Sequence, residues 1–230
     1  MAERPYTLLS CGMSLDGYLD SPTRTRLALS NDADFDRVDA VRAGCDAVLV
    51  GAATIRNDNP RLLVRSPQRR AERLARGQGP SPMKVTVTEL AKLDAGARFF
   101  SCGDAAKLVY CASAAVDEAR HRLGPVATVI DGGQPVDLRW LTEDLAGRGV
   151  RRLMVEGGGT VLTQFLTEDL ADELQLVVAP FFVGESGARR LVGAGHFPWN
   201  PDRRARLAEV RQIGDVVLLR YALSPRFVSE

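Results

Sequence analysis

The sequence predicts an α/β fold: a mostly parallel central sheet with helices on both faces and an antiparallel hairpin at the C-terminal end. Three observations lead there. Short apolar runs alternate with amphipathic stretches along most of the chain, the pattern left by strand–helix–strand crossovers. The 230 residues are 45% hydrophobic and 26% charged, the balance of a chain that buries roughly 70–75% of its unfolded surface and needs no disulfide or metal staple. Near the C-terminus two strand-like stretches flank Ile213-Gly214-Asp215, a turn that sends the chain back antiparallel.

Tyr6–Met13 is apolar enough for a first strand, and Leu15-Asp16-Gly17 ends it as a turn. Ala33–Ala43 carries Phe35, Val38 and Val41 at helical spacing, with Gly44 as the stop. Ala47–Val50 is a short buried strand, Ala52–Asn57 a helical turn, and Leu62–Val64 an extended piece after the turn-initiating Asn59-Pro60. Strands are expected at Val85–Val87, Leu108–Cys111 and Val126–Ile130, and helices at Val116–Leu123 and Leu138–Gly147. Leu153–Val155 as strand, Thr160–Leu166 as helix and Glu173–Ala179 as strand lead to the closing hairpin of Ala205–Arg211 and Val216–Leu223. With no repeat and no linker, residues 1–230 read as one domain. Ser66–Pro82 stands apart, with Arg69, Arg70, Arg73 and Arg76 against a single Glu72. It has no aromatic residue for base stacking and reads as a solvated basic surface excursion.

Lys plus Arg number 30 and Asp plus Glu 29, a net charge of +1 that supplies no global field for nucleic acid or an anionic membrane. The longest apolar runs, such as LQLVVAPFFVG, are far short of a bilayer span, and the start lacks the apolar core of a signal peptide. Cys11, Cys45, Cys102 and Cys111 form no C-x-x-C, and only His121 and His196 add imidazole. No metal site is expected from that stock; buried structural thiols in a reducing cytosol are, and the chain is placed in the cytoplasm.

Three strand ends carry the features that bear on chemistry. In Leu153-Met154-Val155-Glu156-Gly157-Gly158-Gly159-Thr160 a buried strand runs through three glycines into a helix. The glycines either make a tight strand-to-helix turn or let the backbone approach a phosphate at the helix start. Glu156 sits where ligands of open α/β sheets bind, and a carboxylate there can hydrogen-bond a polar ring. In the stretch Val48–Arg65, Thr54 and Asp58 are four apart on one side of a helical turn. Arg61, Leu63 and Arg65 would share a face of the extended piece, either solvated or turned to an anion. Gly12-Met13-Ser14-Leu15-Asp16-Gly17-Tyr18 is either a plain turn or a third loop able to meet the other two over one crevice.

The blocks GMSLDGYL, RAGCDAVLVGAATIRNDNPRLLVR and VEGGGTVLTQFL, followed by DLADELQLVVAPFFVG, resemble the reductase domain of riboflavin biosynthesis, from Pro5 to about Leu223. The resemblance implies a dihydrofolate-reductase-like fold and a stand-alone homodimeric enzyme, since no H-x-E with a P-C-x-x-C partner occurs. It implies NADPH as cofactor, contacted by Met13, Thr54, Asp58 and the run Gly157, Gly158, Gly159, Thr160, Val161, Leu162, Thr163 and Gln164. It implies a phosphorylated pyrimidine as substrate, contacted by Arg42, Leu62, Arg65 and Glu156, with the two arginines clamping the ribose phosphate. The implied reaction is NADPH-dependent reduction of 5-amino-6-(5-phosphoribosylamino)uracil, or its diaminopyrimidinone analogue, to the ribitylamino form, with Glu156 the residue closest to catalysis. Reduction of another pteridine or heterocycle, and nicotinamide-nucleotide binding without turnover, are the alternatives. The chain departs from the family pattern in having Ser10 where fused members carry lysine, Asn59 for the second aspartate of Asp-Asp-Pro, and Thr88-Glu89 where Asp-Ser is usual. The apolar run Leu174–Val183, ending in Phe181-Phe182, reads as a sheet edge that a partner would cover.

Overall fold

Alternation of strand and helix is written into the burial of the side chains. Val48, Leu49, Val85, Leu153 and Met154 have no exposed surface, as expected of strands enclosed on both faces. The computed structural model of the protein describes residues 3–22 and 27–227. In chain order the elements are β1 (Tyr6–Ser14), α1 (Asp32–Ala43), β2 (Ala47–Gly51), α2 (Ala52–Asp58), α3 (Pro67–Ala75), β3 (Met83–Thr88) and α4 (Arg98–Ser101). They continue with β4 (Lys107–Cys111), α5 (Val116–Leu123), β5 (Thr128–Asp131), α6 (Leu138–Gly147), β6 (Arg152–Val155), α7 (Gly159–Thr167), β7 (Glu173–Ala179), β8 (Arg206–Ile213) and β9 (Val216–Ala222).

The chain forms two compact units. The first contains Asp39–Met154, and its strands lie in the order β5-β4-β3-β2-β6. β2, β3, β4 and β5 pair in parallel, with Val48 opposite Lys84 and Val85 opposite Leu108. Asp137 caps α6 by accepting from the Trp140 N–H, which turns Leu138, Leu141 and Leu145 inward. The second contains Tyr6–Val38 and Val155–Glu230, with strands in the order β1-β7-β9-β8. β1 and β7 are parallel, and β7, β9 and β8 are antiparallel, with Gly214 at φ +61° in the hairpin turn. The mostly parallel sheet and the antiparallel C-terminal hairpin are therefore as the sequence predicts.

Three local expectations are overturned. Leu62–Val64 is not evenly extended: Leu62 adopts φ +51° and is 5% exposed, so the side-chain alternation assumed for Arg61, Leu63 and Arg65 is broken. Ser66–Pro82 is more than a solvated excursion. It holds α3, capped by Ser66 with Pro67 at the first helical position. Arg73 of that helix is 2% exposed and donates to the carbonyls of Ala43, Cys45 and Gly79. Nor is Leu174–Val183 an edge, because β7 pairs with β1 on one side and β9 on the other. In the second unit, large apolar side chains are exposed at Leu15, past the end of β7 at Phe182, and on the hairpin at Leu207, Val210 and Val217.

All four cysteines are free thiols; Cys45 and Cys111 are buried, and Cys11 and Cys102 partly so. Among the described residues no group of three or more His, Cys, Asp and Glu is arranged to hold a metal ion. No helix among them is long and apolar enough to cross a membrane.

Candidate functional site

The second unit contains the glycine turn. β6 delivers a fully buried Val155, and Glu156 follows half-buried at the start of the turn. Gly157 has φ +114°, a conformation that a side chain would strain, and the Gly157–Gly158 peptide is cis. Gly158 is the N-cap of α7, and Gly159 its first residue. An added Cβ at Gly159 would stand 2.9 Å from the Arg190 carbonyl oxygen and 3.3 Å from a methyl of Leu19, so only glycine fits. The start of α7 has no side-chain cap and no acidic residue in its first turn. The positive end of a helix that starts in this way can accept an anion.

Two loops close on that helix start. The turn after β1 is built by Ser14, whose hydroxyl donates to Asp16 and accepts from the Tyr18 N–H. The Asp16 carboxylate also accepts from the Val183 and Gly184 N–H groups, tying this turn to the chain beyond β7. Burial works to raise the Asp16 pKa, but these bonds outweigh it and hold the carboxyl below its ordinary range. Leu19 N–H donates to Arg189 O at 2.7 Å and Leu191 N–H to Gly17 O at 2.9 Å, zipping the turn to residues 189–191. Arg190 reaches back to the Tyr18 hydroxyl at 3.1 Å, its guanidinium 4.7 Å from the ring centre.

Of the residues expected at a cofactor, Met13 is half-buried near the end of β1, and Thr160 is exposed on the first turn of α7. Val161 and Leu162 are 5% and 1% exposed, so contact from either would come through the backbone. Thr163 donates to Gly159 O and accepts from Gly193 N–H, locking the strap to the helix. Gln164 lies one residue on and is half-buried.

The first unit holds the other expected residues. Thr54 and Asp58 sit one turn apart on α2, half-buried and exposed respectively. Asn59, the departure from Asp-Asp-Pro, takes the left-handed conformation at the C-cap, and its side chain accepts from the Arg98 N–H that opens α4. Arg42, on the last turn of α1, donates to Leu63 O at 2.9 Å. Arg65 keeps 60% of its side chain exposed while its backbone N–H is held by Asp39 at 2.6 Å. Asp39 and Asp16 are the residues that spacing alone did not single out. Asp39 is one of four aspartates between residues 32 and 39 and Asp16 reads as a turn former, and both matter through partners distant in sequence.

A profile of the RibD C-terminal domain family matches residues 5–219, and the chain belongs to that family. The 2,5-diamino-6-ribosylamino-4(3H)-pyrimidinone 5′-phosphate reductase of Archaeoglobus fulgidus is 33% identical over 225 residues, 97% of this chain and 99% of that protein. The protein of the same name from Methanothermobacter thermautotrophicus is 33% identical over 222 residues, 96% of this chain and 99% of its own. A pyrimidine reductase-like protein from Corynebacterium diphtheriae shares the fold, with TM-score 0.81 at 21% identity over 95% of this chain and 91% of that one. RibD of Acinetobacter baumannii superposes with TM-score 0.77 at 25% identity, covering 95% of this chain and 58% of that one. The resemblance read from the three sequence blocks is borne out, and the full-length relatives are reductases.

Proposed function

We propose that the protein reduces 2,5-diamino-6-ribosylamino-4(3H)-pyrimidinone 5′-phosphate, or the corresponding 5-amino-6-(5-phosphoribosylamino)uracil, to the ribitylamino compound with NADPH. The observation that carries this reading is the capless, glycine-lined start of α7 in a chain matched end to end by reductases of that name.

NADPH, when bound, supplies hydride to the opened sugar C1′ of the substrate. The backbone N–H groups at the start of α7 hold its pyrophosphate, with Thr160 to Gln164 around them and Met13 toward the nicotinamide. Thr54 and Asp58 add polar contacts to the nucleotide. Arg65 takes the substrate phosphate, for which a guanidinium is geometrically matched. Arg42 steadies the Leu62–Leu63 backbone beside it. Glu156 accepts from pyrimidine N–H groups and so orients the sugar carbon. A carboxylate beside the helix start repels an anionic cofactor, so its placement there serves the other ligand. Two chains associate through the exposed apolar face of the β8–β9 hairpin.

The test is loss of reduced-nicotinamide absorbance by the purified chain with NADPH and the phosphorylated substrate, with the ribitylamino product identified by mass. Glu156→Gln keeps the shape but turns one acceptor into a donor, and is expected to lower kcat/KM roughly tenfold to a few hundredfold, about 1.4–3.4 kcal/mol. NADPH affinity stays the same or rises slightly. Normal turnover by the variant would reduce Glu156 to a turn residue; loss of NADPH binding instead would mean that the carboxylate serves the cofactor.

A further inference from the structure

The segment that carries Arg65 is irregular, yet from the Leu63 carbonyl to the Ser66 N–H its backbone is bound by side chains rather than by a neighbouring strand. Arg42 donates to Leu63 O, and Ser81 accepts from Val64 N–H at 3.0 Å. Arg70 donates to Val64 O and Arg65 O at 3.2 and 2.8 Å. Asp39 accepts from Arg65 N–H at 2.6 Å with one oxygen and from Ser66 N–H at 3.1 Å with the other. Buried Leu62, in its left-handed conformation, anchors the start. A surface loop gains little from so complete a set of bonds unless the position of something it carries matters. What it carries is the Arg65 side chain, projected outward from a fixed backbone.

Asp39 is the centre of this arrangement. Its side chain is 2% exposed, and a carboxylate so placed is tolerated only when donors surround it. Arg69 makes the close ion pair at 3.0 Å, whereas the Arg65 guanidinium stays 3.9 Å away. Asp39 therefore grips Arg65 twice, by its backbone N–H at 2.6 Å and by its Nε at 3.9 Å, while Arg69 supplies the closer charge that neutralises the carboxylate. Burial works to raise the Asp39 pKa, and the bonds from Arg65, Ser66 and Arg69 overcome it, so the grip persists at neutral pH.

We infer that Asp39 is a positioning residue for substrate phosphate: it fixes the Arg65 backbone and, shared with Arg69, holds the base of the Arg65 guanidinium at ion-pair distance. This rests on the reading of Arg65 as the phosphate contact, and the experiment separates the two.

Steady-state kinetics are measured for wild type, Arg65→Ala, Asp39→Asn and the double variant, with the phosphorylated substrate and with its dephosphorylated riboside. The expected result is a roughly tenfold rise in KM for the phosphorylated substrate in Asp39→Asn, with kcat and the NADPH KM nearly unchanged. The riboside is turned over alike by wild type and Asp39→Asn, and the double variant is no worse than Arg65→Ala. Should Asp39→Asn fail to fold, Arg69→Met keeps Asp39 but removes its partner. Arg65 then closes on the carboxylate, and KM for the phosphorylated substrate rises in the same way. If Arg65→Ala itself leaves that KM unchanged, the phosphate reading of Arg65 is wrong. If Arg65→Ala raises it while the Asp39 or Arg69 variant does not, the positioning inference is overturned. It is equally overturned if the Asp39 and Arg65 effects add in full, or if kcat falls alike on both substrates.

Discussion

Unfolding free energy measured against pH probes the surroundings of Lys84, which has no exposed surface in the interior of the first unit. Its ammonium donates to Phe99 O at 2.9 Å and to Cys102 O at 2.6 Å, and stands 5.8 Å from the centre of the Phe99 ring. Burial, then repulsion from Lys107, lowers its pKa from the ordinary 10.5 to about 8, against a weaker opposing pull from Cys102. Between pH 8 and 10.5 the unfolded chain therefore binds more protons than the folded one, and this group's contribution to stability rises with pH. Below that window both states are protonated and the full penalty of burying the charge remains. The whole shift corresponds to about 3 kcal/mol, of which about 1 kcal/mol falls between about pH 8 and pH 9. Burial of Cys11 acts the other way: its thiol is pushed from 9.0 up to about 12, so above pH 9.0 stability from that group falls. The clean window thus ends near the ordinary thiol pKa. Urea unfolding of wild type and Lys84→Met on either side of it isolates the lysine, because every other group is common to both. Methionine leaves the Phe99 and Cys102 carbonyls without this donor and is less stable overall, but only the pH slope matters. Wild type should gain about 1 kcal/mol on Lys84→Met over that one pH unit. Parallel pH curves for the two proteins would refute a depressed lysine.

Gly159→Ala drives a methyl to 2.9 Å from the Arg190 carbonyl, and is expected to cost about 1–3 kcal/mol by overpacking. An unchanged urea midpoint would mean that the strap yields freely. Light scattering should give twice the 25.0 kDa chain mass for wild type, and Val210→Glu should shift it toward the single-chain value. A monomer mass for wild type at assay concentration would count against pairing through the hairpin.

Most of the strands and helices were readable because their signals are local. β2, Ala47–Gly51, is buried at every position and reads as a continuous small apolar run; α6 shows its inward leucines at helical spacing after a capping Asp137. The failures share one cause. Leu62–Val64 looks like an extended piece because its residues are apolar, but its backbone bonds go to the side chains of Arg42, Ser81 and Arg70 instead of a neighbouring strand. Arg73 looks like one more charge in a solvated run. Its guanidinium presents several donors in a fixed plane, and three carbonyls gather around it, two of them from around the turn that leaves α1. β7 looks like an uncovered edge because the strands flanking it are β1, from the start of the chain, and β9, from its end.

The same division runs through the candidate site. The glycine turn was legible because its demands are made of the backbone: a positive φ at Gly157 and a close carbonyl at Gly159 exclude side chains, and glycine is the residue that answers both. The carboxylates were not equally legible. Asp58 stands out in the sequence by its spacing from Thr54, yet it is exposed at the end of a seven-residue helix. Asp39 is lost among the four aspartates that open α1, and Asp16 reads as a turn former. What distinguishes them is donors from elsewhere in the chain: Arg65, Ser66 and Arg69 for one, Val183 and Gly184 for the other. An aspartate that positions another residue must be buried and fully bonded before any ligand arrives, and those partners come from the fold. Sequence spacing therefore marks residues whose setting is local and misses those whose partners the fold brings from elsewhere, so burial and bonding are where such residues must be sought.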